Sequence, residues 1–227
     1  MARVMTLSLV DALANELRSR VYLGQLTPQD AITEAEVSRT FDVARPTAKA
    51  AIERLVGEGL LMRGAHKTAR VPTLGPDDVR DIYKTRARLE AGVLPELARR
   101  GIVPARAIEA NADISSLSGS DPVSIVEPDM RFHAALVDAI GSLRTSRAFQ
   151  TLASEVRLCM GQVQRKRLLT TQSIVADHQL ILDAIAARDG ERAVDVLTTH
   201  LARAREQLAA AVEGLAAGRV DQALGFR

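Results

Sequence analysis

The first third of the chain alternates between apolar stripes at helical spacing and short polar turns. The earliest stripe has an aliphatic residue at every fourth position, at Leu9, Leu13, Leu17 and Val21. Because residues four apart lie on one face of a helix, this spacing predicts an amphipathic helix that ends before Gly24.

Two further short helices are predicted after the first. Thr33 to Glu36 has the pattern of a capping box, in which the Thr33 hydroxyl accepts from the Glu36 amide. Pro46 is tolerated only in the first turn of a helix, so the third helix is expected to begin beside it and to end near Gly57. The buried stripe of this third helix is Ala48, Ala51, Ile52 and Leu55.

Two short extended runs, 60–63 and 68–71, follow the third helix and predict a β-hairpin. Strands this short are not stable alone, so the hairpin is expected to pack on the helices as a wing. The next segment, Val71 to Asp77, holds two prolines and a glycine, which cannot continue a helix. We therefore expect a winged helix-turn-helix domain at 1–74 and a second domain at 75–227.

The second domain has helical periodicity throughout. The predicted helices cover 78–99, 104–117, 126–140, 142–165, 171–188 and 190–216. Strand-like alternation is absent from this half, which makes a helical bundle the expected arrangement. The predicted fold class is mainly α, with an N-terminal winged helix-turn-helix, a small β-hairpin and a C-terminal all-α helical bundle.

Composition and charge narrow the possible functions. Aromatic residues are 3% of the chain, and the formal net charge is only +2, which excludes a basic coat over the whole surface. The excess of positive charge lies in residues 43–71, which contain six Lys and Arg but only two Glu. A single cysteine, Cys159, excludes an intrachain disulfide and is expected to be a small core residue. No apolar run approaches the roughly 20 residues that span a bilayer, so a soluble, cytoplasmic protein is expected.

The third helix carries the residues expected to contact double-stranded DNA. Arg45 and Lys49 are four apart and lie on one face, opposite the apolar stripe. Thr47 adds a hydroxyl donor near the helix N-terminus, where free amides also favour phosphate. Arginine reads guanine edges, whereas lysine and threonine more often hold phosphate. His66 and Lys67, at the tip of the hairpin, are predicted to reach an adjacent groove or the backbone.

The helical domain contains three histidines and an aspartate with the spacing of a metal site. Asp129 and His133 are four apart on one predicted helix. His178 and His200 each lie 11 residues from Asp189, where a turn is predicted, so an antiparallel pair of helices brings them to the same height. Three imidazoles and one carboxylate suit a divalent transition metal such as zinc, nickel or manganese.

The DNA-binding segment resembles a known family. Residues 42–61, Asp-Val-Ala-Arg-Pro-Thr-Ala-Lys-Ala-Ala-Ile-Glu-Arg-Leu-Val-Gly-Glu-Gly-Leu-Leu, are similar to the recognition-helix segment of GntR-family transcriptional regulators. Ala44 stands where the family usually has Ser, and Ala35 where it usually has a basic residue. Gly-Ala-His-Lys at 64–67 replaces the usual Arg-Gly of the wing tip. These departures do not change the expected DNA-binding fold, but they leave undetermined which operator sequence it recognises.

The helical half resembles the effector domain of the FadR subfamily of these regulators. The similarity rests on Asp-Met-Arg-Phe-His-Ala-Ala-Leu at 129–136 and on His-Gln-Leu-Ile-Leu-Asp-Ala-Ile at 178–185, with a further match around His200. It implies that Asp129, His133, His178 and His200 hold a divalent metal whose open positions accept a small organic acid. It also implies a homodimer that regulates transcription from an operator, with repression as the expected sign.

Arg86 lies in a further matching piece, Tyr83 to Glu90, and has two interpretations. It can meet the carboxylate of an acid effector through a charge-assisted pair of hydrogen bonds. It can equally be the i,i+4 ion-pair partner of Glu90 on an exposed helix face.

Two other classes of function remain as alternatives. A helical metalloenzyme would use the three-histidine, one-aspartate site to activate water, although no second acid or base is placed beside it by the sequence. The other alternative is an architectural or RNA-binding module with an unliganded helical dimerisation domain. RNA binding is disfavoured, because the chain is poor in the aromatic residues on which single-stranded bases stack.

Overall fold

The computed structural model describes residues 8–28, 30–64, 68–117, 122–163 and 170–223. The chain divides into two compact units, Met1–Thr73 and Leu74–Arg227. The predicted fold class is confirmed, because the described residues are mainly helical with one small two-stranded sheet.

The first unit contains three helices and a hairpin. Their bounds are α1 Leu9–Tyr22, α2 Glu34–Thr40, α3 Arg45–Gly57, β1 Met62–Arg63 and β2 Ala69–Arg70. The hydroxyls of Ser8 and Thr33 cap α1 and α2, accepting from the amides of Asp11 and Glu36 at 3.1 and 3.2 Å. Helix α3 begins without a side-chain cap, since its N-cap is Ala44, and has Pro46 in its first turn.

The wing is held to the helices by a contact that the hydrophobic pattern does not predict. β1 and β2 pair antiparallel, with Met62 opposite Arg70 and Arg63 opposite Ala69. Ile32, just before α2, forms an additional bridge to Ala69 through two backbone hydrogen bonds of 2.8 Å. This bridge ties the hairpin to the start of the helix-turn-helix, while α1 and α2 pack against α3.

The second unit is a bundle around one long central helix. Its helices are α4 Pro76–Arg100, α5 Ala105–Ser116, α6 Val126–Asp138, α7 Leu143–Gln162, α8 Thr171–Ala186 and α9 Gly190–Ala223, with a 3-10 turn at Pro122–Ile125. Helix α4 packs against α6, α7, α8 and α9, and α5 covers α6 and α8. The core includes Leu94, Phe132, Phe149 and Ile181. Cys159 is also buried there, and burial raises the pKa of its thiol to about 12.

The start of α4 differs in detail from the predicted bound, whereas the start of α9 agrees with it. Pro76, expected in the linker, is the first residue of α4, where a missing amide hydrogen costs no helical bond. Gly190 is the first residue of α9, where the predicted helix 190–216 also begins. A Cβ atom there would lie 3.0 Å from the Cα of Pro95. The glycine therefore allows the α8–α9 turn to approach α4 closely.

Candidate metal centre and nucleic-acid surface

The four predicted metal ligands meet inside the second unit. Helix α6 carries Asp129 and His133, α8 carries His178, and α9 carries His200. One ligand atom from each lies within 4.8 Å of all the others. Because ligands that share a metal at bond lengths of about 2.0–2.2 Å are at most about 4.4 Å apart, this grouping is close to a coordination sphere.

The imidazoles are buried and the carboxylate is partly open. The side chains of His133, His178 and His200 are at most 3% exposed, whereas that of Asp129 is 20% exposed. The Oδ1 atom of Asp129 lies 3.4 Å from His178 Nε2 and 3.9 Å from His133 Nε2. Both distances exceed a normal hydrogen bond, so the polar atoms face one another without satisfying one another.

Two carboxylates orient His133 and His200. Glu90 Oε2 lies 2.5 Å from His133 Nδ1, and Asp177 Oδ2 lies 3.0 Å from His200 Nδ1. A carboxylate at Nδ1 holds the proton on that nitrogen and leaves Nε2 as the lone-pair donor. The pKa of Glu90 is about 2: burial raises it, but His133 and Arg86 outweigh burial.

His178 has no such partner among the described residues. Both of its ring nitrogens are buried without a hydrogen bond to any of those residues. The ring stacks on Phe132, with centroids 3.6 Å apart and planes at 2°. Burial is the largest cause that lowers the pKa of His178 well below its usual value, and the neighbouring His133, His200 and Arg86 lower it further. The imidazole is therefore neutral, which is the protonation state that a metal requires.

The donor set fits a divalent metal. Buried polar atoms normally have partners, because an unsatisfied one costs about 1–3 kcal/mol. Here His133 Nε2 and both nitrogens of His178 are buried and unpaired within the part of the chain that the structure describes. A cation bound between them and Asp129 would satisfy both Nε2 atoms.

Arg86 lies beside this cluster and is buried. Its Nε donates to Glu90 Oε1 at 2.9 Å, so the predicted ion pair is present. The interpretation as a partner on an exposed face is wrong, since Arg86 is 1% exposed and its guanidinium lies 5.0 Å from the Tyr83 ring centroid. Its Nη2 is buried with no hydrogen-bond partner in the described residues, so the guanidinium retains an unused donor.

Sequence reasoning missed Asp177 and the contact between Glu90 and His133. A signal for Asp177 was available, because it is one residue further from the α8–α9 turn than His178 and so lies at nearly the same height as His200. The role of Glu90 had no comparable signal. Its contact with His133 depends on how α4 packs against α6.

The predicted DNA-contacting residues of α3 lie on its exposed side. Arg45 and Lys49 are exposed and Thr47 is partly buried, while Ala48 and Ile52 face the core. Arg45 and Lys49 make no ion pair within the described ranges. The other two predicted contacts, His66 and Lys67, lie outside the described residues.

Comparison with known proteins agrees with both units. Residues 9–71 match the bacterial regulatory proteins of the gntR family, and residues 81–203 match the FCD domain. An HTH-type transcriptional regulator of Paraburkholderia xenovorans, BphR, is 26% identical over 86% of this chain and 82% of its own. An L-lactate dehydrogenase operon regulatory protein of Escherichia coli is 27% identical over 74% of this chain and 73% of its own.

A solved structure shows the same fold. A GntR regulator from Rhodococcus sp. RHA1 superposes with a TM-score of 0.74, at 23% identity, over 88% of this chain and 97% of the other. Homodimerisation is typical of this family, and FCD domains can bind metals.

A winged helix-turn-helix joined to an all-helical ligand-binding domain defines a DNA-binding transcriptional regulator that responds to an effector. The chain belongs to the GntR family and carries an FCD effector domain of the FadR-like subfamily. No helix in the described part of the chain is long and apolar enough to cross a membrane.

Proposed function

We propose that the regulator binds a small organic acid at a divalent metal held by Asp129, His133, His178 and His200, and that this binding changes its affinity for an operator. The observation that carries the proposal is a set of buried imidazole nitrogens, without hydrogen-bond partners in the described part of the chain, gathered around one carboxylate. Three nitrogen donors and one oxygen suit zinc, nickel or manganese, and the donor set does not select one of them.

The charges of the site favour an anionic effector. A divalent cation beside Asp129 leaves one positive charge, and the ion pair between Arg86 and Glu90 adds none. An isolated buried charge is costly, so a carboxylate that neutralises it is favoured. We propose that the unused Nη2 donor of Arg86 donates a hydrogen bond to a carboxylate oxygen of the effector. A bound metal supplies Lewis acidity at this site, while the histidines and their carboxylate partners set the direction of its ligands.

The relative associated with the L-lactate dehydrogenase operon suggests which acids to test first. A 2-hydroxy acid has a carboxylate and a neighbouring hydroxyl that can both approach one cation. Short 2-hydroxy acids, with unsubstituted acids of the same length as controls, therefore form the first panel.

The expected result is an effector response that requires metal. Binding to an operator selected from a random duplex library would be measured with metal-loaded and metal-stripped full-length protein. One acid in the panel should change the affinity of the loaded protein about 5–150-fold, the usual range for coupled sites. The stripped protein should not respond. A response of equal size without metal would contradict the proposal.

We further propose a homodimer in the cytoplasm that represses transcription by placing one α3 helix in each of two successive major grooves.

Lys49→Ala should weaken binding to operator and scrambled duplexes alike, because lysine holds phosphate. Arg45→Ala should in addition reduce discrimination between the two duplexes by about 10-fold or more, because arginine reads base edges. Equal losses of discrimination in both variants would contradict these roles.

A further inference from the structure

Most of the cationic side chains that the structure describes in the first unit fall into two groups. Most of its arginines on the helices and wing are neutralised by carboxylates: Arg18 pairs with Glu58, Arg20 with Glu16, Arg54 with Asp11 and Glu58, and Arg63 with Glu34 and Glu53. Arg39, Arg45 and Lys49 are exposed and make no ion pair or hydrogen bond within the described ranges. Two of these three lie on α3, and the third, Arg39, lies on α2.

Arg39 is on the outer face of α2. Val37 is the buried residue of this helix, and Ala35 and Arg39, one turn apart, are both exposed. Helical side chains tilt toward the N-terminus of their helix, so a long side chain at position 39 covers the surface beside position 35. Because position 35 is alanine, its side chain is too short to compete with the guanidinium for that surface.

The position of Arg39 relative to the recognition helix is held by a local clamp. The hydroxyl of Ser38 donates to the carbonyl of Val43 at 2.6 Å, and the amide of Val43 donates to the carbonyl of Ser38 at 3.1 Å. These two bonds join the end of α2 to the turn that leads into α3. The backbone of Arg39, inside this closed turn, is therefore held in a defined position relative to the start of α3 at Arg45.

We propose that Arg39 contacts the DNA phosphate backbone from α2 while α3 occupies the major groove. The first helix of a helix-turn-helix crosses the backbone, and an unpaired guanidinium there is a strong phosphate donor. Such a contact positions the protein on the duplex and carries no sequence information. It extends the DNA-binding surface beyond α3 and the wing.

Arg39→Ala in the full-length protein tests this contact, with a short random-sequence duplex and the selected operator as probes. Releasing one counterion contributes about 0.9 to the slope of log affinity against log salt, so the slope should become shallower by that amount. A slope difference of 0.9 corresponds to an affinity loss of about eightfold at about 0.1 M salt, relative to the 1 M reference. The loss should be equal for both duplexes. Arg39→Lys should restore most of the affinity.

Arg54→Gln is the matched control, because it removes the same charge from a side chain already paired with two carboxylates. Its salt slope should change less than that of Arg39→Ala. The competing explanation is that Arg39 only complements the dipole at the C-terminus of α2. In that case Arg39→Ala would lower the melting temperature and leave the salt slope unchanged, which would overturn the proposal. A loss confined to the operator would also overturn it.

Discussion

His178→Ala is expected to abolish metal binding by the full-length protein. The imidazole has no hydrogen-bond partner in the described residues, so its polar atoms contribute to the protein only through a ligand. Its removal leaves only three of the four proposed ligands, Asp129, His133 and His200. Metal content after purification without chelator should fall from about one equivalent per chain to near zero.

Thermal stability provides a second measurement of the same site. A ligand present at 1,000 times its dissociation constant stabilises the native state by about 4 kcal/mol. The melting temperature of the wild type should therefore rise when metal is added to the stripped protein. His178→Ala should show no such rise.

Two further variants separate loss of the site from loss of the fold. Asp129→Asn changes a partly exposed side chain without changing its size, so it should keep the stripped protein's melting temperature and still lose metal. His66→Ala, which removes a histidine of the first unit, should bind metal as the wild type does. Retention of one equivalent in both His178→Ala and Asp129→Asn would refute the metal site. The buried imidazoles would then be a polar element of the core.

Glu90→Gln is expected to have the largest effect on stability of any single change near the site. Glu90 is fully buried and accepts from both Arg86 and His133. Removing the charge leaves the buried guanidinium of Arg86 without its counterion, which typically costs about 3–5 kcal/mol. Urea unfolding followed by circular dichroism would measure this loss.

The same variant should weaken metal binding, because His133 loses the carboxylate that orients it. Changes to such orienting groups usually reduce metal affinity about 10–100-fold. Asp177→Asn should cause a similar loss at His200 with a smaller effect on stability, since Asp177 and its partner Arg203 are partly exposed. Titration against a competing chelator would measure the affinities.

Two controls assign these effects. Asp183→Asn makes the same chemical change on α8 at an exposed side chain that pairs, among the described residues, only with Gln179, so it should leave metal affinity unchanged. The double variant Arg86→Met with Glu90→Gln removes both charges and should recover much of the stability. Its metal affinity should stay low. If stable Glu90→Gln protein kept wild-type metal affinity, Glu90 would be only the counterion of Arg86 and would not orient His133 for the metal.

The sequence predicts the helices and the candidate metal ligands because both depend on the spacing of residues within one helix or across one short turn. Apolar residues four apart gave α1, and Pro46 marked the first turn of α3. Asp129 and His133 share a face by helical geometry alone. The equal distance of His178 and His200 from one short turn was enough to predict that they meet.

Only the tertiary structure decided which charged groups became buried partners. The spacing of Arg86 and Glu90 indicates an ion pair, but their burial follows from the packing of α4 against four other helices. The contact of Glu90 with His133 joins residues on different helices, and so does that of Asp177 with His200. The bridge of Ile32 to Ala69 likewise joins segments far apart in the chain. Local periodicity reports which face of a helix is apolar, whereas a contact between helices depends on their relative rotation and height, which are set by packing of the whole core.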